Sequence, residues 1–235
     1  MRKICLAVLV VLLLGIGLSF ITGCSGGSTI RKTTADVVFI YNSDITTATV
    51  YKTLFEANDL TTDLISINSL SNTDLSACKL IMVDDDTVST WSDVMGSVKL
   101  AQQIKNSNKP VIAAGEGTML FDTTAFQLEI GFNNSIYSLG TTTLVSDPTY
   151  FTGISGAGTV GASVKLLTAN ANSITLPSAH LTSASHPISA SSVGRYAICR
   201  QDKYVHWGYI ARTNIQTTTY QTLLVNVIKK LITPI

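Results

Sequence analysis

The chain has 235 residues, 46% hydrophobic and only 13% charged, and its 16 Lys and Arg against 15 Asp and Glu leave a formal charge of +1. It carries no basic block or stripe, so it lacks the phosphate-neutralising surface that nucleic-acid binding needs, and nucleic acid is excluded as a partner. Cys78 and Cys199 lie too far apart for a metal-binding motif.

The chain opens on Met1-Arg2-Lys3, followed by an apolar run over residues 4–21 broken only by Gly15, Gly17 and Ser19. A basic start before an apolar stretch reads as a secretory signal. The run also reaches the roughly 18 residues of a membrane span, so a retained anchor is the alternative. The sequence at its end, Ile21-Thr22-Gly23-Cys24, resembles the bacterial lipobox. That resemblance implies diacylglycerol on the Cys24 thiol, cleavage just before it, and a mature protein held by lipid on the extracytoplasmic side of a membrane. Ser25, standing where an inner-membrane retention signal carries Asp, implies the outer membrane in a Gram-negative host. The expected organisation is a signal peptide over 1–23, a lipidated tether over 24–35 that includes Ser25-Gly26-Gly27-Ser28, and one domain over 36–235. Without the signal, 14 basic residues face 15 acidic ones in a chain of 212, enough for one good core.

Val37-Val38-Phe39-Ile40-Tyr41 is a continuous apolar run, the pattern of a strand buried on both faces. Residues 46–58 read as a helix with Val50, Leu54 and Ala57 on its inner face. Residues 63–67 and 79–83 read as strands, the second closed by Asp84-Asp85-Asp86. A helix over 94–106, with Val98, Ala101 and Ile104 inward, precedes a fourth strand over 109–114 that runs into Gly115-Glu116-Gly117 and a short helix from Thr118. Strand and helix alternate with short connections, which implies parallel strands, right-handed crossovers and helices on both faces. Beyond Phe126 Gly, Ser and Thr dominate, and segments such as 136–144 and 160–167 suggest an antiparallel insertion. Residues 195–200 and 203–209 read as a hairpin returning to the sheet, and 220–232 as a closing helix with Leu223, Leu224, Val227, Ile228 and Leu231 inward. The fold class is therefore α/β, flavodoxin-like and doubly wound. Cys78 and Cys199 read as buried thiols in separate strands, with a disulfide as the alternative.

Three segments in order resemble the class I glutamine amidotransferase-like superfold. Residues 110–121, Pro-Val-Ile-Ala-Ala-Gly-Glu-Gly-Thr-Met-Leu-Phe, resemble its nucleophile elbow. Residues 147–154, beginning Asp147-Pro148 and ending Gly153-Ile154, resemble its His-Pro-x-x-x-x-Gly-Leu segment. The strand end His206-Trp207-Gly208 and the helix bearing Leu223-Leu224 and Asn226 resemble trehalose-utilisation-type members. The resemblance implies a cysteine nucleophile at the elbow, but the position falls on Gly115, which has no side chain with which to attack a carbonyl. His206 falls near the superfold's catalytic histidine without its usual sequence context. Cysteine amidotransfer is not expected.

In an open parallel sheet ligands bind at the carboxyl ends of the strands. That rule gathers Asp44, Asp84, Asp85, Asp86, Gly115, Glu116, Gly117 and His206 as a candidate ligand rim. Such oxygen-rich carboxylates suit a sugar, a cationic solute or, less readily, Mg²⁺ or Ca²⁺. They also suit plain helix capping by Asp44 and Asp86, and glycines 115 and 117 suit a tight turn. Trp207 and Tyr209 share a strand face and read as core. Trp91 reads as an exposed aromatic, and His180 and His186 as surface residues. The leading expectation is a non-catalytic, lipid-anchored binding or assembly module for a solute, glycan or envelope protein. The rival is an envelope hydrolase or lyase working through carboxylates such as Asp84, Asp85 and Glu116. No cofactor is required by either.

Overall fold

The computed structural model describes residues 30–93, 96–131, 136–192, 194–210 and 213–233. The expected signal and lipobox, with Cys24, lie outside the described residues, as does Val94 at the expected helix start. Residues Arg31–Ile235 form a compact unit. Among the described residues no helix is long and apolar enough to cross a membrane.

The first half contains β1 (Arg31–Lys32), β2 (Val37–Tyr41), α1 (Ile45–Glu56), β3 (Thr62–Ser66), β4 (Thr73–Asp74), β5 (Leu80–Val83), α2 (Val88–Ser92), α3 (Ser97–Asn106) and β6 (Val111–Ala114). The second half contains β7 (Ile136–Leu139), β8 (Thr142–Val145), β9 (Ser163–Lys165), β10 (Ala171–Ile174), β11 (Leu176–Pro177), β12 (Ser185–Ser192), β13 (Arg195–Gln201), β14 (Tyr204–Trp207), β15 (Tyr209–Ile210) and α4 (Thr218–Ile232). Five strands pair in parallel in the order β3-β2-β5-β6-β14. Taken in sequence order, that is the flavodoxin-like arrangement 2-1-3-4-5. The sheet continues antiparallel through β13, β12, β8 and β9, and β11 pairs with β13. A separate antiparallel sheet runs β15-β10-β7, and β1 pairs in parallel with β4. Arg31 and Lys32, within the expected tether, are held by backbone pairing to Thr73 and Asp74.

The central strands are apolar throughout because both faces are covered. Val37 and Phe39 point into one core with α1 and α4, while Val38 and Ile40 point into a second core with α2 and α3. The inner face of α1 differs from the expected one. Ala48, Tyr51 and Phe55 are buried, whereas Val50 is exposed. The aromatic pair carries more apolar surface: Tyr51 stacks on Phe39 with ring centroids 5.2 Å apart, and burying rings of this size is worth about 2–3 kcal/mol each.

Trp91 is also corrected. It is buried on α2, and its Nε1 donates to Thr87 Oγ1 at 2.8 Å. Trp207 and Tyr209 are buried as expected, packed with Tyr220 of α4. Cys78 and Cys199 are both free and buried, though Cys78 precedes β5 rather than lying in a strand. Two of the resembling segments meet each other: Asn226 Nδ2 donates to the Tyr150 and Thr152 carbonyls, fastening the turn after Asp147-Pro148 to α4. That asparagine has a packing role here.

Candidate functional site at the strand ends

Four aspartates converge where β2, β5 and β6 end. Asp44 caps α1, its Oδ1 accepting the Thr47 N–H at 2.9 Å and its Oδ2 the Thr47 hydroxyl at 2.8 Å. Asp86 reaches across from the end of β5 and accepts three backbone N–H groups of the β2–α1 turn. These come from Asn42 at 2.8 Å, Ser43 at 2.7 Å and Asp44 at 2.8 Å. Successive N–H groups pointing inward make an anion nest, here filled by the protein's own carboxylate.

Asp85 does the corresponding work at the elbow. Its Oδ1 accepts the Glu116 N–H at 2.7 Å. Gly115 keeps the left-handed backbone of an elbow, with φ +48°. A Cβ built there would stand 2.2 Å from Asp85 Oδ1 and 2.9 Å from Ile210 Cγ1. The side-chain seat of the elbow is therefore occupied by a carboxylate from the neighbouring strand end. The N–H after an elbow nucleophile commonly serves an oxyanion hole; here Asp85 takes it. Gly117 is needed for close approach, since a Cβ there would lie 2.4 Å from the Asp84 carbonyl oxygen.

Asp84 is 5% exposed. Burial, reinforced by the charge of Asp86, pushes its carboxyl up to about 8. Burial also raises Asp85 to about 6; the Glu116 N–H opposes that rise, and the Glu116 and Asp86 charges add to it. These acids line a cleft of about 350 Å³ with Thr47, Tyr51, Ala114, Asn172, Tyr209 and Ile210, a set that contains no Lys or Arg. Burial raises the Tyr51 hydroxyl to about 12, so it is neutral and serves as a hydrogen-bonding wall.

Of the residues gathered from the sequence, Asp44, Asp84, Asp85 and Asp86 do line one cleft. Glu116 contributes its backbone N–H beside it, and its side chain is not part of the lining. His206 does not join them. It is fully buried in β14, with Nδ1 3.1 Å from the Ile130 carbonyl oxygen and Nε2 3.0 Å from that of Ile174. Burial depresses it to about 4, so it is a neutral core residue. Among the described residues no group of three or more His, Cys, Asp and Glu is arranged to hold a metal ion. Tyr51, Asn172, Tyr209 and Ile210 gave no sign of the site in the sequence; β10 and β15 deliver Asn172, Tyr209 and Ile210 by a pairing that no local pattern encodes.

The fold is a flavodoxin-like α/β fold of the class I glutamine amidotransferase kind. It is shared with a candidate GMP synthase component from Thermoplasma acidophilum, at a TM-score of 0.57 and 10% identity over 84% of this chain and 94% of that one. PurLQS from Thermotoga maritima gives 0.56 and 9% over 86% of this chain and 99% of that one. Agd3, a carbohydrate deacetylase, gives 0.52 and 13% over 86% of this chain, which spans 32% of Agd3. At these identities the likeness is one of fold. No family model matches the sequence, and no curated protein matches it.

Proposed function

We propose that the chain is a lipoprotein, acylated at Cys24 and anchored on the extracytoplasmic side of a membrane, whose α/β domain is a non-catalytic binding or assembly module. The observation that carries the non-catalytic reading is the Asp85 carboxylate, which fills the elbow where a nucleophile's side chain would stand and holds the Glu116 N–H. An elbow blocked in this way has neither a nucleophile nor a free oxyanion donor. The strand-end cleft remains as the surface offered to a partner. Its carboxylates suit a cationic or hydroxyl-rich solute, a glycan, or a basic segment of an envelope protein. The lipobox at 21–24 and the basic-apolar start support the anchor.

One observation favours a second reading, an envelope hydrolase or lyase. Asp84 and Asp85 are neighbouring acids raised to different extents, to about 8 and about 6, as an acid–base pair would be. Two measurements test the proposal. Labelled palmitate should enter the wild-type protein and not Cys24→Ser, which should be released or remain unprocessed. Across a panel of envelope glycans and amide or ester substrates no turnover should appear. Turnover abolished by Asp84→Asn with the fold intact would replace the binding module by the hydrolase.

A further inference from the structure

Tyr209 lines the strand-end cleft, and its ring packs against Trp207 and Tyr220. Its hydroxyl stands in the interior, beside the hydroxyls of Thr143 on β8 and Ser189 on β12. Tyr209, Thr143 and Ser189 are only 3%, 1% and 0% exposed. Yet among the described residues neither Tyr209 Oη nor Ser189 Oγ completes a hydrogen bond, and Ser191 Oγ, further along β12, is likewise unpartnered. Buried hydroxyls left in this way cost stability, and native proteins satisfy nearly all of them.

We propose that Tyr209 Oη, Ser189 Oγ and Thr143 Oγ1 bind one internal water molecule behind the wall of the cleft. The count of protons supports it. Thr143 Oγ1 gives its proton to the Ala190 carbonyl at 2.8 Å and has only lone pairs left to offer. Burial pushes the Tyr209 hydroxyl up to about 12, so it keeps its proton, and Ser189 brings another. A water accepts from Tyr209 and Ser189 and donates to Thr143, which makes the three bonds usual for a buried water. No formal charge stands among these three hydroxyls, so the set suits a neutral ligand.

The fold explains how hydroxyls reach this place. The pairing of β12 with β13 shifts register on both sides of Ser189, and such irregularities re-aim side chains. β8 pairs with β12 through Ser189 and Ala190, which brings Thr143 alongside. Tyr209 arrives from β15, on the other sheet. The water thus joins the antiparallel extension to a residue of the cleft lining and holds that residue from behind. This inference goes beyond the binding module and does not depend on it.

The test is a crystal structure of the full chain in detergent, at a resolution that shows ordered water. One peak should lie within hydrogen-bond distance, about 3.2 Å or less, of Tyr209 Oη, Ser189 Oγ and Thr143 Oγ1. Tyr209→Phe and Ser189→Ala each remove a partner, and each should lose the peak. Should neither variant fold, the wild-type map decides alone. A dry site, with Tyr209 bonded directly to Ser189 or Thr143, would overturn the proposal. So would a peak that persists in Tyr209→Phe, or one ringed by six or more oxygens at about 2.3–2.6 Å, which is a cation and not water.

Discussion

Asp84 is a buried acid in the cleft, and its linkage to stability has a definite sign. Its carboxyl is raised to about 8 in the folded protein against an ordinary value of 3.8. The folded state therefore holds the proton more tightly than the unfolded state. That contribution is fully present below about pH 4 and is lost as pH rises through about 8. Asp85, raised to about 6, adds a loss of the same sign that starts at the same pH and is complete sooner, near pH 6. His206 works in the other direction. Held down to about 4, it contributes stability above its unfolded value near 6.5 that disappears as pH falls toward 4. Asp84→Asn should thus gain stability, and with it melting temperature, relative to the wild type as pH rises from about 4 to about 8, by a few kcal/mol at the alkaline end. Thermal scans across that range decide it, and parallel curves for the two proteins would remove the buried charge from the account. Gly115 gives a second residue-scale expectation. Gly115→Ala should destabilise by about 2–4 kcal/mol, from the left-handed backbone and from the clash with Asp85. In an Asp85→Gly background the loss should shrink by more than about 1 kcal/mol. A urea-unfolding double-mutant cycle reads that coupling directly, and strict additivity would mean that Asp85 does not fill the elbow.

Between single residues and the whole chain, legibility depends on what surrounds each element. β2, β5 and β6 were plain in the sequence because both faces are buried, so each is a run of apolar residues. The helical period also located α1, but it could not choose between Val50-Leu54-Ala57 and Ala48-Tyr51-Phe55, since both triplets obey it; the aromatic stack on Phe39 decides. β12 carried almost no signal. It is Ser-rich, its pairing with β13 shifts register between Pro187 and Ser192, and only its neighbours make it a strand. The candidate site divides in the same way. The aspartates were legible as residues closing strands. That Asp85 enters the elbow and Asp86 clamps the β2–α1 turn follows from β5 lying between β2 and β6, a strand order that local sequence does not contain. The clamp has its own consequence. Asp86→Ala removes the acceptor of three backbone N–H groups, and about 2 kcal/mol of stability should go with it, modest because the bonds are mostly exposed. Amide exchange at Asn42, Ser43 and Asp44 should quicken at least tenfold while β5 stays protected. Unchanged exchange there would show that the turn holds its shape without Asp86.

Across the whole molecule the two internal cysteines report on cooperativity. Cys78 and Cys199 are buried in the same core as α2, α3 and one face of β2, β5 and β6, and both are free. Burial raises the Cys78 thiol to about 11 and the Cys199 thiol to about 12, so almost none of either is thiolate at neutral pH. Reaction with a maleimide needs both access and a thiolate, and the folded protein supplies neither at these positions. In a chain whose Cys24 is acylated, mass spectrometry should find no adduct under native conditions and two in denaturant. The two should appear together along a urea gradient, at the midpoint of the loss of secondary structure, because one core contains both. A reductant should leave the melting temperature where it is, since no disulfide is present between them to break. Modification of Cys78 well before Cys199 would mean that the loop before β5 opens on its own, and the core around α3 would then be a separate cooperative unit rather than part of one.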